Sequence, residues 1–524
     1  MVHLTDICMI FEVHQPFRLN RNIHLDVTSR PRINKEDLLE LYFDNRLNRD
    51  IFNRVAEKCY IPANKIILEQ IDRFKREKRK FKVSFSLSGV FIEQCERWNP
   101  DLLESFKQLV ESGCVELLSQ TYYHSLVGLH DQSEFIDQVE LHRELMKNLF
   151  HYSPETFENT ECLYNNNIAR MVEQLKFRAI VTEGAERILS WRSPNFLYKA
   201  KGSNIKVLLR NYRLSDDIGF RFTSTEWDQW PLTADKYAAW LSSTPGQTIV
   251  IFLDYETFGE HYWPESGILE FLRWLPTEVY KWKNLSWSTP TEIAKRHIPV
   301  GEIDVPTDRT VSWADVERDI SAWLGNQQQW ASFNLVNEIG LLVKEIDDEV
   351  LLKIWRYLQT SDHFYYMCTK GGPSNVVHET FSPHGNPIES FITYITILMD
   401  FKARCQLEIS RPEIRHRFFL RRLPRERCFH FFIRFAHPTE VTACSLEEFY
   451  SALKRVNVES VIFHFYRGDF QRWILQVIGD EELAAQIDKL PKERMGEEAL
   501  RSRLLKIIRL RIRELKKRRV KVSS

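Results

Sequence analysis

No stretch of this chain approaches the ~18 consecutive apolar residues that a membrane-spanning helix needs. The opening Met1-Val2-His3-Leu4-Thr5-Asp6 has no basic leader, and the apolar run from Ile7 to Val13 is short, so no secretory signal is expected. Charge of one sign is also missing. Lys+Arg and Asp+Glu both number 72, which leaves no global field to draw in nucleic acid or a membrane surface. The nine cysteines are scattered and none forms a CxxC pair, so neither a zinc ribbon nor a disulfide framework is expected. Their odd number fits a reducing cytoplasm. Internal repeats and low-complexity linkers are absent. What remains is the composition of a soluble globular protein whose 524 residues suit two or three domains.

The most informative stretch that is present runs from Ile249 to Trp263. Ile249-Val250-Ile251-Phe252-Leu253 reads as a strand buried on both faces. It stops at Asp254, after which Glu256, Glu260, His261 and several aromatic rings follow around Gly259. A buried strand that ends in such a cluster belongs at the carboxyl edge of a parallel sheet, where α/β folds place their chemistry. Aromatic faces stack on sugar rings, and paired carboxyl groups move protons and stabilise an oxocarbenium-like centre. The alternative is a strand end with solvated charges and core aromatics.

Further strands are expected over Ile7 to Val13, Phe81 to Leu87, Cys114 to Leu118, Thr156 to Glu161, Phe177 to Thr182 and Lys206 to Tyr212. Mostly helical connections alternate with them, which argues for parallel strands with crossovers. Seven strands is one short of the eight-stranded barrel. Beyond Pro290-Thr291-Glu292, helical spacing dominates: Ala314 to Leu324, Ala331 to Tyr357 and Pro387 to Glu408, with turn-rich Gly371-Gly372-Pro373 between. From about Ser410 arginines accumulate. Strands are expected over Phe429 to Phe435 and Ser460 to Tyr466, and helices over Ser445 to Arg455, Asp469 to Ile478 and Glu497 to Arg519. The domains expected are a barrel over 1–300, a helical region over 301–409 and a small α+β domain over 410–524. The basic terminal helix reads as a solvated face rather than a nucleic-acid or lipid surface.

Four strand ends carry polar residues of one kind: His14-Gln15, Tyr122-Tyr123-His124, Glu161, and Asp254 through His261. In a parallel barrel they converge on one mouth. On an extended strand Asp254 and Glu256 would share a face, so spacing leaves open which of them partners Glu161. Two other chemistries fit the residue types. His14, His124 and His261 could hold a divalent ion in a polysaccharide deacylase, or the chain could bind glucan without cleaving it.

Five segments resemble, in order and spacing, the sequence regions of glycoside hydrolase family 57, most closely its α-amylase branch. They are His14-Gln15-Pro16, Gly113-Cys114-Val115-Glu116, Asn159-Thr160-Glu161-Cys162-Leu163-Tyr164-Asn165-Asn166, Leu253-Asp254-Tyr255-Glu256-Thr257-Phe258-Gly259-Glu260-His261 and Thr289-Pro290-Thr291-Glu292. Ser312 to Asp319 and Leu358 to Met367 resemble that branch too, so the likeness covers about residues 1–405. It departs at Thr291, where serine is usual, and at Cys162. The resemblance implies an incomplete (β/α)7 barrel followed by a helical region, and a retaining enzyme that cleaves α-1,4 bonds of starch- or glycogen-like glucans without metal or cofactor. A glucan transferase or branching enzyme is the alternative within the family. By resemblance Glu161 is the nucleophile and Asp254 the general acid/base. His14, His124, His261 and Trp263 line the cleavage subsite, with Trp191, Trp313 and Asp315 from flanking segments. The C-terminal part resembles an uncharacterised prokaryotic domain, which implies no function.

Overall fold

The computed structural model describes residues 4–23, 33–371, 381–491 and 496–520. Ten strands share one sheet: β1 (Thr5–Val13), β2 (Val83–Leu87), β3 (Val115–Leu118), β4 (Thr156–Glu158), β5 (Ala179–Glu183), β6 (Tyr198–Ala200), β7 (Lys206–Arg210), β8 (Thr248–Asp254), β9 (Leu285–Trp287) and β10 (Glu302–Ile303). Seven of them close a parallel ring. β8, β1, β2 and β3 pair side by side. A single bridge from Ser119 to Phe157 leads to β4, which pairs with β5, and β5 pairs with β7. The seam between β7 and β8 rests on one register pair, Arg210 with Val250. β6, β9 and β10 are short additions at the rim.

Alternation along each strand builds two apolar layers. Ile7, Met9, Phe11 and Val13 of β1 and Ile249, Ile251 and Leu253 of β8 face the helices. Cys8, Ile10, Val250 and Phe252 fill the barrel with Leu118, Val181 and Leu208. The same two-residue step carries the inward line to Glu12 and Asp254, which are register partners. It reaches Ser86, Glu158, Glu183 and Arg210 on the other strands. The barrel is therefore greasy below and polar at its carboxyl mouth.

Two motifs of the resemblance meet at the wall. Glu116 accepts hydrogen bonds from Thr291 N at 3.0 Å and Thr291 Oγ1 at 2.6 Å, so threonine supplies the hydroxyl that serine would. Gly259 lies at φ 141°, and a Cβ there would come within 2.1 Å of the Lys58 carbonyl oxygen. Only glycine allows that approach.

Several expectations are corrected. The fourth strand ends at Glu158, and Glu161 lies beyond it in a 3-10 turn. Asp254 closes β8, and Tyr255–Thr257 is a 3-10 turn, so Asp254 and Glu256 do not share an extended face. Of Ala314 to Leu324 only Ser321–Leu324 is helical; the residues before it form a loop with Asp315 and Arg318 at positive φ. The helix expected over Ala331 to Tyr357 is two, Gln327–Ile346 and Glu349–Tyr357, parted at Asp347 with φ 59°. Gly372-Pro373 lies outside the described residues.

The chain divides into two compact units, one of residues 1–336 and 356–397 and the other of 337–355 and 398–524. The second has its own core, with Phe429, Phe431, Phe449, Phe465, Phe470 and Trp473 at its centre. β11 (Phe429–Arg434) and β12 (His437–Ala443) form an antiparallel hairpin. Ser460 to Tyr466, expected as a strand for its β-branched and aromatic residues, belongs to a helix, Val458–Arg467. Asn457 caps it, Gly468 ends it, and the buried Ser460, Val461, His464 and Phe465 recur at helical spacing. Leu500, Leu504, Ile508, Ile512 and Leu515 of the final helix are buried as expected. No disulfide framework is present among the described residues, but there is one disulfide that the spacing of the cysteines does not announce. Cys428 and Cys444, flanking the hairpin, are bonded, and the other seven cysteines are buried and form no disulfide. For that pair the argument from an odd count to a reducing compartment fails. Among the described residues no helix is long and apolar enough to cross a membrane.

Candidate active site

Three side chains converge on the Glu161 carboxylate at the mouth. Trp313 Nε1 donates to its Oε2 at 2.8 Å and Ser361 Oγ to its Oε1 at 2.8 Å, while His124 Nε2 stands 3.5 Å from Oε1. Its backbone is left-handed, at φ 60°. His124, Cys162, Asp315 and Arg318 share that conformation, so five of the ten non-glycine residues with positive φ among those described sit in or beside this cluster. Each costs on the order of 1–3 kcal/mol, and such strain gathers where surrounding structure dictates function.

Under Glu161 runs a polar layer from the inward strand positions. His124 Nδ1 lies 2.9 Å from Gln120 Oε1, an acceptor, so this nitrogen carries a proton. Gln120 Nε2 donates to Glu12 Oε1 and to Ser86 Oγ, both at 2.8 Å, and Ser86 Oγ donates to Glu158 Oε2 at 3.0 Å. Burial works against a charge on His124. The hydrogen bond to Glu161 and the charges of Glu12, Glu161 and Asp362 overcome it and raise its pKa to about 9. His124 is then a cation against Glu161. Burial raises Glu12 and Glu158 as well, Glu158 to about 8.

His14 stacks on His124 with ring centroids 4.0 Å apart. Its Nε2 donates to Asp362 Oδ2 at 3.0 Å, and its Nδ1 is 2.7 Å from Ser88 Oγ. Burial and the charge on His124 lower its pKa to about 4, so it is neutral. Burial opposes ionisation of Asp362, but the hydrogen-bonded His14 and the charge on His124 hold it well below the usual carboxylate range. The 358–362 segment reaches the site by backbone pairing: Ser361 N donates to the His124 carbonyl at 2.9 Å, and Ser125 bridges Thr360.

Asp254 is held differently from Glu161. No hydrogen bond from a described residue reaches its carboxyl. Burial and the charge of nearby Glu161 raise its pKa to about 7, against the pull of Arg210 and His124. Glu256 turns away from the mouth. Its carboxyl accepts from Tyr60 Oη and from Gln15 Nε2, and burial and the charge of Asp254 raise it to about 8.

The sequence-derived residues thus divide. Glu161, His14, His124 and Trp313 form one contact cluster that Asp254 joins by charge. Asp315 follows Trp313 on the same loop, its Oδ2 3.8 Å from Lys370 Nζ. His261 packs on Phe381, and burial lowers its pKa to about 4. Trp263, 64% exposed, lies under Lys58 Nζ at 4.5 Å, and Trp191 is 91% exposed. Among the described residues no hydrogen bond or ring contact ties these last three to Glu161. The residues that sequence reasoning missed are Asp362, Ser361, Gln120 and Glu12. Stepping two residues on from Ile10 along the inward line of the first strand reaches Glu12, the register partner of Asp254, and Ser361-Asp362 stands out as a polar pair in a stretch already singled out.

The histidines do not fit a metal centre. His14 and His124 lie face to face and spend their nitrogens on other partners, His261 lies elsewhere, and no group of three His, Cys, Asp or Glu among the described residues is placed to share an ion.

A seven-stranded parallel barrel with two differently held carboxyl groups at its carboxyl mouth has the architecture of a barrel glycosidase. Comparison with known proteins names the family. The chain belongs to glycosyl hydrolase family 57, whose model matches residues 8–306. Residues 406–509 match a family of unknown function. A Methanocaldococcus jannaschii protein named "Putative alpha-amylase" is 49% identical over 412 residues, covering 77% of this chain and 85% of that protein. A branching enzyme from Pyrococcus horikoshii superposes with a TM-score of 0.52 at 13% identity, over 79% of this chain and 91% of that one. A 4-alpha-glucanotransferase from Thermococcus litoralis gives 0.50 at 16% identity over 75% of this chain, which spans only 60% of that protein. At those identities the two structures establish the fold alone.

Proposed function

We propose that the chain is a retaining enzyme that cleaves α-1,4 bonds in starch- or glycogen-like glucans, with Glu161 as nucleophile and Asp254 as general acid/base. One observation carries this reading. The two carboxyl groups are held differently: Glu161 accepts from Trp313 and Ser361 beside the His124 cation, while the Asp254 carboxyl receives no hydrogen bond from a described residue and is raised to about 7. In the first half-reaction Glu161 attacks the anomeric carbon as Asp254 protonates the departing oxygen. In the second, Asp254 draws a proton from water, or from a sugar hydroxyl in a transfer reaction, and the glycosyl-enzyme is discharged. His14, Trp313 and Asp362 border the reacting ring, and exposed Trp263 and Trp191 offer stacking faces further out. Proton NMR on maltooligosaccharides should show the α-anomer as the first product; the β-anomer would overturn a covalent intermediate on Glu161. Product lengths on soluble starch separate hydrolysis, which shortens chains only, from transfer, which also lengthens or branches them.

Two further outcomes are expected. kcat/KM should fall as pH rises through about 7, because the donor needs its proton and Asp254 then loses it. A profile flat from pH 6 to 9 would contradict this. Activity should also survive EDTA, since none of these steps needs a Lewis acid. Loss with EDTA and return with zinc would favour the deacylase.

A further inference from the structure

Between the carboxyl ends of β5 and β7 lie four charges that the mechanism above does not use. Arg210 Nη1 pairs with Glu183 Oε2 at 2.9 Å and its Nη2 with Asp216 Oδ1 at 2.6 Å. Arg318 meets the same two carboxylates, Nη1 at 3.0 Å from Glu183 Oε2 and Nη2 at 3.2 Å from Asp216 Oδ2. Two positive and two negative groups alternate around a box, with Glu183 and Arg210 buried. Taking such charges out of water is costly, and stability alone explains a buried box poorly.

Its position suggests a role. Three members come from β5, β7 and the helix Tyr212–Gly219 beside them. The fourth, Arg318, comes from the loop that carries Trp313. Arg318 Nη1 also donates to the Trp313 carbonyl at 3.4 Å, Ser312 N donates to the Arg318 carbonyl at 3.1 Å, and the guanidinium lies 3.9 Å from the Tyr212 ring centroid. Asp315 and Arg318 are left-handed, at φ 53° and 51°, so local preference does not shape this loop and outside contacts must. On the other side Arg210 Nε donates to the Phe252 carbonyl at 2.8 Å, two residues before Asp254 and at the thin seam of the barrel.

We propose that the Arg210–Glu183–Asp216–Arg318 box is a positioning device for catalysis: through Arg318 it holds the Trp313 indole on Glu161, and through Arg210 it anchors the strand end that bears Asp254. Its catalytic consequence rests on the assignment of Glu161 and Asp254 made above; its structural claim does not. The Arg210 charge also counters the rise of the Asp254 pKa.

The test uses the full-length chain labelled with [15N]tryptophan, in the wild type, Trp313→Phe, Arg318→Gln, Arg318→Lys and the double variant Trp313→Phe/Arg318→Gln. The Trp313 indole resonance is the one missing from Trp313→Phe. It should shift or broaden in Arg318→Gln and move back toward its wild-type position in Arg318→Lys. On maltooligosaccharides Arg318→Gln should lower kcat by about 10- to 100-fold with little change in KM. Because Arg318 acts through Trp313, the double variant should fall within about threefold of the slower single one. An unmoved indole resonance in folded Arg318→Gln, or losses that multiply in the double variant, would overturn the proposal. Should Arg318→Gln fail to fold, Asp216→Asn leaves both arginines on Glu183 and is read by the same resonance. A wild type that cleaves no α-glucan would sink the functional assignment, while the resonance would still decide whether the box holds Trp313.

Discussion

Glu161→Gln is expected to reduce turnover of soluble starch by roughly 10⁴-fold or more, the scale on which loss of a nucleophile is felt. The amide nearly preserves the shape of the side chain, and its one oxygen can still accept from either Trp313 or Ser361, which reach different oxygens of Glu161. It cannot attack the anomeric carbon. It also removes the anion against which His124 is charged, so the cation loses its nearest counter-charge. The loss should fall on kcat for every substrate, because the missing interaction belongs to the transition state. Activated substrates should not rescue it, since an easier leaving group does not supply a nucleophile. Initial rates on starch and on α-glucosyl fluoride check this, and a loss of less than tenfold on either would remove Glu161 from its role.

The second large effect is that of Asp254→Asn, and it should depend on the substrate. On starch, whose departing sugar needs a proton, turnover should drop by about 10²- to 10⁴-fold. On α-glucosyl fluoride, whose leaving group needs little protonation, the first step should survive and the second should slow, because no base remains to activate water. The decline of activity above pH 7 should disappear with the group that titrates there. Glu256→Gln should be milder on every substrate. Its carboxyl is engaged by Tyr60 and Gln15 rather than facing the mouth. Should Glu256→Gln instead show the substrate dependence expected of Asp254→Asn, the acid/base role would belong to Glu256.

The barrel was legible because its strands are short, apolar and separated by helices with clear ends. The run from Ile249 to Leu253 and the block from Ile7 to Val13 are buried from end to end, and runs of that kind announce parallel strands. Glu161 and Asp254 were legible as polar groups at strand ends, and resemblance supplied their roles. The left-handed turn at Glu161 was not, because no glycine or asparagine marks it and tertiary contacts impose it. The loop around Trp313 deceived for a related reason. Its residues have helical spacing, but Arg318 is drawn into the charge box and the helix never starts. Asp362 lies some 200 residues from Glu161 in sequence, at 362 against 161, and only the docking of the 358–362 segment on Ser125 reveals it. Ser460 to Tyr466 misleads because β-branched and aromatic residues crowd a segment whose buried side chains recur at helical spacing. The Cys428–Cys444 bond escaped because spacing alone does not bring two cysteines to the flanks of a hairpin.

Glu161 as the bond-forming group and Asp254 as the proton-handling group can be told apart by where glucose stays attached. The most direct test mixes Asp254→Asn with α-glucosyl fluoride, quenches the reaction and maps the peptides by mass spectrometry. One glucosyl unit should accumulate on the peptide containing Glu161 and be absent when Glu161→Gln is treated in the same way. An adduct on another carboxylate, or on the Glu161→Gln chain, would contradict those roles.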